Sequence, residues 1–377
     1  MRSAVCDMFG IEFPILAFSH CRDVVAEVSK AGGLGVFGAV ATSPEQLSID
    51  LEWIIDEVGD LPWGIDLIVP AAYMGDAAGG LKQRDVAELL PEQHQDFLRD
   101  LLDRYDVPPL LDEPARPVDQ DAMFSAARAE RQLEVALALG PALVANALGS
   151  PPPEMISAAH DAGAKVAALA GRAVHAERHA AAGVDLIIAQ GAEAGGHTGE
   201  IGSMVLIPEI VDAVRPLPVL GAGGIGRGRQ MAAARALGAE GVWCGSVWLT
   251  TQEAETHPVV KQKMIEATSA DTVRSRSLTG KPARQLKSAW TEEWARDDTP
   301  DPLPMPLQST LVSQSQQRIN RSAHSNEGAH ELANYFVGQV VGTMNRVLST
   351  RQVVMDFIDE YIDAVGELTA SLTEETQ

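Results

Sequence analysis

The sequence predicts an α/β protein that folds as a closed (β/α)₈ TIM barrel. Eight short apolar segments alternate along the chain with segments of helical periodicity. The apolar segments are continuous, which is typical of parallel strands that are covered by helices. Eight such units favour a closed barrel over an open doubly wound sheet, and a barrel places its active site at the carboxyl ends of its strands.

Each strand is expected where an apolar run is bounded by glycine, proline or polar residues. The predicted strands are Phe13–Phe18, Leu34–Val40, Trp63–Pro70, Ala142–Asn146, Lys165–Ala170, Val184–Ala189, Pro218–Leu220 and Gly241–Cys244. The helices between them carry ordinary end signals. Gly32 and Gly33 end the first helix, and the second opens with Ser43 as N-cap and Pro44 at the first helical position.

The alternation pauses after the third strand. Residues 71–120 are polar and proline-rich, with helical pieces at Arg84–Leu90 and Pro91–Tyr105. A connection of this length is either a lid over the site or a helical decoration of the barrel rim.

The character of the chain changes again after the eighth strand. Glu331–Leu348 and Gln352–Leu368 have apolar residues at helical spacing, which predicts two amphipathic helices. We therefore divide the chain into a barrel of residues 1–255 and an extension of residues 256–377. The two helices either pack on the barrel or form the contact of a homodimer.

Composition excludes several classes of function. The net charge of −23 argues against binding to nucleic acid or to an anionic membrane. No apolar run is long enough to span a bilayer, and the amino terminus has no signal-peptide core. The three cysteines, Cys6, Cys21 and Cys244, have no C-x-x-C spacing, so we expect a reducing, cytoplasmic setting.

No metal site is expected. His175 and His179 are four residues apart, a spacing that suits two ligands on one helix face. A third ligand and an adjacent glutamate are missing from the pattern. We interpret the two histidines as an exposed helix face.

The glycine-rich loop after the sixth strand is the first candidate for chemistry. It runs from Gln190 to Gly199 and contains one histidine, His197. Glycines let a backbone approach a ligand closely, and histidine moves protons near neutral pH. The alternative is a glycine-rich connector with a surface histidine.

Two further glycine segments follow the seventh and eighth strands. Gly221–Gly226 lies between a strand and a helix, and Gly245–Ser246 follows the next strand. In (β/α)₈ enzymes the loops at these two places often hold a phosphate on backbone N–H groups. The alternative is a pair of plain turns. A dinucleotide fingerprint is not indicated, because no acidic residue is placed for a ribose.

These segments resemble the nitronate monooxygenase (2-nitropropane dioxygenase-like) family of FMN-dependent (β/α)₈ enzymes. The resemblance covers roughly residues 10 to 290. The matching segments are Gly32–Gly35, Pro62–Leu67, Gln190–Gly199, Pro218–Ile225, Ala239–Val242, Gly245–Ser246 and Leu278–Arg284.

The resemblance implies a role for each matching residue. Gln190 would bind the flavin ring, Gly195 and Gly196 would let the loop run against it, and His197 would be the base near flavin N5. The FMN phosphate would be held by Gly223, Gly224, Gly245 and Ser246.

The chain departs from the family pattern at three places. Asp66 stands where the family usually has asparagine beside the flavin, and Ser19-His20 stand where a methionine usually ends the first strand. Ser19 and His20 are therefore candidate substrate-binding residues. The alternative for His20 is a residue at the start of a helix that points to solvent. The third departure is the long insertion.

Three functions are compatible with these residues. The first is FMN-dependent oxidation of alkyl nitronates, small-molecule substrates, with O₂. The second is NAD(P)H-dependent reduction of a quinone, an enone or an enoyl-thioester by an FMN enzyme, and His20, Asp66 and the insertion give weight to this function. The third is a non-catalytic protein that keeps FMN or uses the barrel as a scaffold. The presence of Gln190, the glycine pairs and His197 argues against it, because the fold alone would not require them.

Overall fold

The computed structural model describes residues 1–40, 42–69, 89–110 and 126–373. Eight parallel strands close into a barrel, in which the last strand pairs with the first, so the predicted (β/α)₈ fold is confirmed. In spatial order they are β1 (Ile15–Ser19), β2 (Leu34–Gly38), β3 (Trp63–Leu67), β4 (Leu143–Asn146), β5 (Lys165–Ala170), β6 (Leu186–Gln190), β8 (Val219–Ala222) and β9 (Gly241–Cys244).

A second, three-stranded antiparallel sheet has the order β10–β11–β7. Its strands are β7 (Gly196–His197), β10 (Thr272–Ser275) and β11 (Ala283–Leu286). β7 belongs to the glycine-rich loop, whereas β10 and β11 follow the barrel strands in sequence. This small sheet therefore joins the loop after β6 to the part of the chain beyond β9.

The helices of the described residues are numbered in chain order. They are α1 (Ala4–Phe9), α2 (Arg22–Lys30), α3 (Pro44–Val58), α4 (Glu92–Arg104), α5 (Ala126–Ala138), α6 (Pro153–Asp161), α7 (Ala173–Ala182), α8 (Ser203–Val214), α9 (Gly228–Ala236), α10 (Pro258–Glu266), α11 (Ala289–Glu293), α12 (Leu307–Ser322), α13 (Glu327–Leu332) and α14 (Thr350–Thr373), with 3₁₀ turns at Ser246–Thr250 and Gln339–Thr343. The predicted cap of α3 is confirmed, because the Ser43 hydroxyl accepts from the Gln46 N–H at 3.2 Å.

Neighbouring residues of each barrel strand belong to two different cores, as the two-residue period of a strand requires. In β4, Leu143 and Ala145 belong to the core inside the barrel, and Val144 belongs to the layer between strands and helices. Because side chains fill the interior, a ligand is expected to bind at the strand ends.

The last helix belongs to the outer layer of the barrel. Val354 and Phe357 of α14 are buried in the core that lies between strands and helices. α14 packs against α9 and α2, which follow the seventh and first barrel strands. The approach to α9 is close, since a Cβ on Gly228 would lie 2.0 Å from the Phe357 carbonyl oxygen. α14 therefore occupies the place of an eighth barrel helix.

A separate hydrophobic core lies beside the barrel. It is formed by α4 together with residues 258–344. We call residues 258–344 the appended region. Its buried side chains include Leu101, Trp290, Trp294, Ile319 and Leu332. The core thus joins the insertion after β3 to the chain that follows β9. The predicted helix Pro91–Tyr105 is confirmed as α4, while residues 71–88 and 111–120 of the insertion lie outside the described residues.

The predicted helix Glu331–Leu348 is wrong. α13 ends at Leu332, and Phe336 forms a β-bridge with Gln285 before the 3₁₀ turn at Gln339–Thr343. Gly338 lies between them, and a Cβ there would be 2.6 Å from the Glu193 carbonyl oxygen. Close contact with the barrel loop overrides the helical periodicity of this segment. The second predicted helix is present within α14.

His179 corrects another expectation. Instead of lying on an exposed face, its side chain is buried and bonded at both ring nitrogens. Nδ1 is 2.9 Å from the Ser150 hydroxyl and Nε2 is 3.1 Å from the Leu169 carbonyl oxygen. Separately, none of the helices in the described ranges has the length and apolarity needed to cross a membrane.

Candidate active site

The carboxyl ends of the barrel strands bring several predicted site residues to one end of the barrel. Asp66 and Gln190 point toward the barrel interior. Asp66 lies between Ile65 and Leu67, which face outward, and Gln190 comes two residues after Ile188, which faces inward. Above the interior core Phe18 stacks on Trp243, with ring centroids 6.1 Å apart. An aromatic pair therefore forms part of the barrel end that faces the site.

Asp66 is a buried carboxyl group with 4% of its surface exposed. Burial raises its pKa well above the ordinary aspartate value, because desolvation penalises the charged form. In the part of the chain that the structure describes, no group donates a hydrogen bond to this carboxyl. Burial therefore favours the protonated form of this carboxyl group, in which its O–H can donate toward the barrel end.

His20 lies at the mouth of the barrel, beside the edge of Phe18 at a centroid distance of 5.0 Å. Its Nδ1 is 2.7 Å from the Gly38 carbonyl oxygen. A carbonyl can only accept, so Nδ1 carries the proton and Nε2 is an acceptor. The ring is solvent-accessible on its open side, yet the protein that surrounds the rest lowers its pKa. This environment favours the neutral form of the His20 imidazole.

The hydroxyl of Ser19 has a local role. It accepts from the Cys21 N–H at 3.1 Å, next to the start of α2. Its neighbour Phe18 faces the barrel interior, and consecutive strand residues point to opposite sides. The predicted part of Ser19 in substrate binding stays a prediction.

The loop after β6 is held from outside the barrel. Arg284 donates from Nε to the Ala192 carbonyl at 3.0 Å, and Arg274 donates from Nη2 to the Thr198 carbonyl at 3.3 Å. Gly195 lets the appended region approach, since a Cβ there would lie 2.9 Å from the Gly338 nitrogen. The loop is therefore clamped by the chain that follows the barrel strands.

His197 lies in the short strand β7, opposite Ala283 of β11. Its Nε2 is 2.8 Å from the Thr279 hydroxyl, and its ring lies 6.5 Å from the ring of Phe336. Burial lowers the pKa of His197 to about 4, and the charge of Lys281 adds to this effect. The imidazole is consequently neutral at neutral pH and can accept a proton.

The glycines after β8 form a cradle with an unusual backbone. Gly223 and Gly224 have φ angles of +91° and +69°, and a Cβ on Gly223 would lie 2.8 Å from the Gly191 carbonyl oxygen. Among the described residues, no acceptor is bonded to the N–H groups of Gly223, Gly224 and Gly245. Consecutive N–H groups of this kind make a concave site for an anion.

The rest of the predicted phosphate site lies after β9. The hydroxyl of Ser246 accepts from the Gly338 N–H at 2.8 Å, which leaves its own proton available to a ligand. A cavity of about 390 Å³ lies beside Gly223 and Gly224, and Glu193 and Ser203 contribute to its wall. A larger cavity of about 500 Å³ is formed by α4 and residues 296–300 and contains none of the strand-end residues, so we do not connect it with the site.

Glu193 was missed by the sequence analysis. Its carboxylate accepts from the Ser203 N–H at 3.0 Å and from the Ser203 hydroxyl at 2.9 Å, at the amino terminus of α8. The positive end of the helix stabilises this charge beside the glycine cradle. An acidic residue in a glycine-rich loop that precedes a helix was the available signal. Thr279, Arg274 and Arg284 were also missed, because nothing in their local sequence indicates contact with a loop about 80 residues away.

The comparisons with known proteins agree with this architecture. The family described as nitronate monooxygenase matches residues 2–360. A Mycobacterium tuberculosis protein named "Putative monooxygenase Rv1533" is 59% identical over 98% of both chains. The structure of nitroalkane oxidase from Streptomyces ansochromogenes is similar with a TM-score of 0.78 and 26% identity, covering 97% of this chain and all of that one.

The structure of FabK from Thermotoga maritima is also similar, with a TM-score of 0.70 and 26% identity over 98% of this chain and 99% of that one. The family is characteristically flavin-dependent, and its members and neighbours are oxidoreductases. The chain therefore belongs to the nitronate monooxygenase family and is an oxidoreductase.

Proposed function

We propose that this protein oxidises alkyl nitronates with O₂, that it uses FMN as cofactor, and that His197 is its base. The observation that carries the proposal is a buried, neutral imidazole on the loop that adjoins the glycine cradle. The similarity to a nitroalkane oxidase structure supports the same class of substrate.

The residues at the strand ends fit FMN. The unbonded N–H groups of the cradle match a phosphate, and the three glycines have no side chains of their own that would block its approach. Asp66 and Gln190 present a carboxyl and an amide toward the barrel end, where a ring with polar edges needs partners. When bound, FMN would supply the electron acceptance and the reaction with O₂ that no amino acid side chain provides.

A nitronate is already deprotonated, so His197 would act as a base when the substrate arrives as the neutral nitroalkane. The C–H bond next to the nitro group breaks, its electron pair becomes the C=N bond of the nitronate, and the proton moves to the imidazole. A neutral imidazole accepts this proton and, once charged, stabilises the nitronate anion. The lowered pKa ensures that the accepting form is present throughout the neutral range.

A second function, NAD(P)H-dependent reduction of a quinone, an enone or an enoyl-thioester, is favoured by His20. Its free Nε2 places another polar group at the mouth, where the family pattern has a methionine. The similarity to FabK is compatible with a reductase.

An anaerobic absorbance titration of the FMN-loaded protein separates the two functions. We expect an alkyl nitronate to bleach the flavin without any nicotinamide. Bleaching by NADH or NADPH alone would instead identify a reductase. A colourless protein that takes up no FMN would contradict both functions.

The His197→Ala variant tests the base. Turnover with a neutral nitroalkane should fall at least about tenfold, the lower range for loss of a general base. In the wild type, the rate should decline only as pH falls toward about 4, because protonation of His197 removes the acceptor. Unchanged turnover in the variant, or an acid limb near the ordinary histidine pKa, would contradict this role.

A further inference from the structure

The surroundings of Thr279 determine which nitrogen of His197 carries the proton. The Thr279 hydroxyl lies 2.8 Å from His197 Nε2, 3.1 Å from the Lys281 carbonyl oxygen and 3.4 Å from the Lys281 N–H. The hydroxyl oxygen thus has three contacts. Two are with Lys281 in the turn between β10 and β11, and the third is with His197 on the loop after β6.

A hydroxyl has one proton to donate and two lone pairs that accept. The Lys281 carbonyl can only accept, so it takes the hydroxyl proton. The Lys281 N–H can only donate, so it uses one lone pair. The remaining lone pair faces His197 Nε2, which must then be the donor. All three contacts are satisfied only when Nε2 carries the proton.

In the opposite tautomer, one of these three contacts could not form a hydrogen bond. If Thr279 donated to a bare Nε2, its oxygen would have no proton for the Lys281 carbonyl. The strand pairing with Ala283 fixes the backbone of His197, and the ring of Phe336 lies beside the imidazole with centroids 6.5 Å apart. The hydrogen bond therefore selects a tautomer in a ring that is already positioned.

We propose that Thr279 is a positioning residue that holds His197 as the Nε2–H tautomer, which makes Nδ1 the atom that receives the substrate proton. Among the described residues, Nδ1 has no hydrogen-bond partner of its own. The proposal deepens the function proposed above and rests on His197 being the base. It predicts that the substrate carbon approaches the Nδ1 side of the ring.

Nitrogen NMR of the FMN-loaded, ¹⁵N-histidine-labelled protein tests the tautomer directly, with a His197→Gln variant to assign the signals. At neutral pH we expect a protonated Nε2 and a bare Nδ1. A wild-type ring with the proton on Nδ1 would overturn the proposal without any variant of Thr279. This measurement needs no turnover, so it stands even if nitronate oxidation fails.

Two substitutions complete the test. Thr279→Val removes the hydroxyl at nearly constant volume and should give a mixture of both tautomers. Its kcat should fall by about two- to tenfold, the effect of one hydrogen bond, while KM stays near the wild-type value. Thr279→Ser restores the hydroxyl and should restore both the single tautomer and kcat. A Thr279→Val protein that keeps the Nε2–H tautomer alone would overturn the proposal, as would a Ser variant that resembles Val.

Discussion

The barrel and the appended region contribute to the site in different ways. The barrel supplies groups that face a ligand, because its topology brings every strand to the same end. The appended region supplies groups that hold those of the barrel, such as Arg284 on the Ala192 carbonyl and Thr279 on His197. Under the proposed function, the groups that bind a ligand and the groups that position the loop after β6 therefore come from different parts of the chain.

The two regions also differ in their regularity. In the barrel, a two-residue period sorts side chains between an interior and an outer core. The appended region has a core of its own and approaches the barrel loop through glycines such as Gly338. Four substitutions test whether the two regions have these separate roles.

Phe357→Ala tests whether α14 is part of the barrel. The Phe357 ring is 1% exposed and stacks on Trp248 at 6.5 Å, so its loss should reduce the free energy of unfolding by about 3–5 kcal/mol. The control is Leu368→Ala on the same helix, where the side chain is 62% exposed and the change should stay within about 0.5 kcal/mol. Urea unfolding measures both. Equal losses of unfolding free energy in the two variants would contradict the packing of α14 in the barrel core.

Gly223→Ala tests the cradle. The added Cβ meets the Gly191 carbonyl oxygen at 2.8 Å in a left-handed conformation, so we expect FMN affinity to fall by about a hundredfold. Gly140→Ala is the matched control, because Gly140 has a φ of +71° with no atom within 4 Å of the added Cβ. Flavin fluorescence titration reports the Kd. Tight binding by the Gly223 variant would argue against the phosphate site.

Arg284→Met tests the hydrogen bond by which the appended region holds the loop after β6. The change keeps the apolar stem and removes the bond to Ala192, so kcat/KM should fall by about tenfold while the FMN Kd changes little. The control is Arg318→Met, because Arg318 bonds two carbonyl groups, of Val107 and Pro108, away from the loop. Steady-state kinetics compare the two. A loss of FMN affinity as large as the loss of kcat/KM would contradict the separation between FMN binding by the barrel and loop positioning by the appended region.

Asp66→Asn tests the buried carboxyl group of the barrel. The native state of the wild type binds a proton more tightly than the unfolded chain, so its stability should decrease as pH rises above the ordinary aspartate pKa. At about pH 8 the Asn variant should therefore be more stable, by on the order of 1 kcal/mol, and the difference should shrink toward pH 5. Urea unfolding of the FMN-free proteins measures it. A wild type whose stability does not depend on pH relative to the variant would contradict the neutral state of Asp66.

Periodicity and end signals were sufficient for the barrel. All eight strands were predicted from continuous apolar runs, and the Ser43 cap of α3 was predicted from Ser43 and Pro44. Such features depend on neighbours in the chain, which a sequence displays directly. The helix expected at Glu331–Leu348 failed for the opposite reason, because contact of Gly338 with the barrel loop decides the conformation there.

Local patterns in the sequence predicted the barrel and the glycines and histidine near the carboxyl ends of its strands. Three features became visible only in the folded chain, namely the place of α14 in the outer layer, the burial that raises the pKa of Asp66, and the contact of Thr279 with His197. The two groups of features differ in their range along the chain. Strand periodicity and turn chemistry act over a few residues, whereas burial and hydrogen bonds between segments about 80 residues apart exist only after the chain has folded.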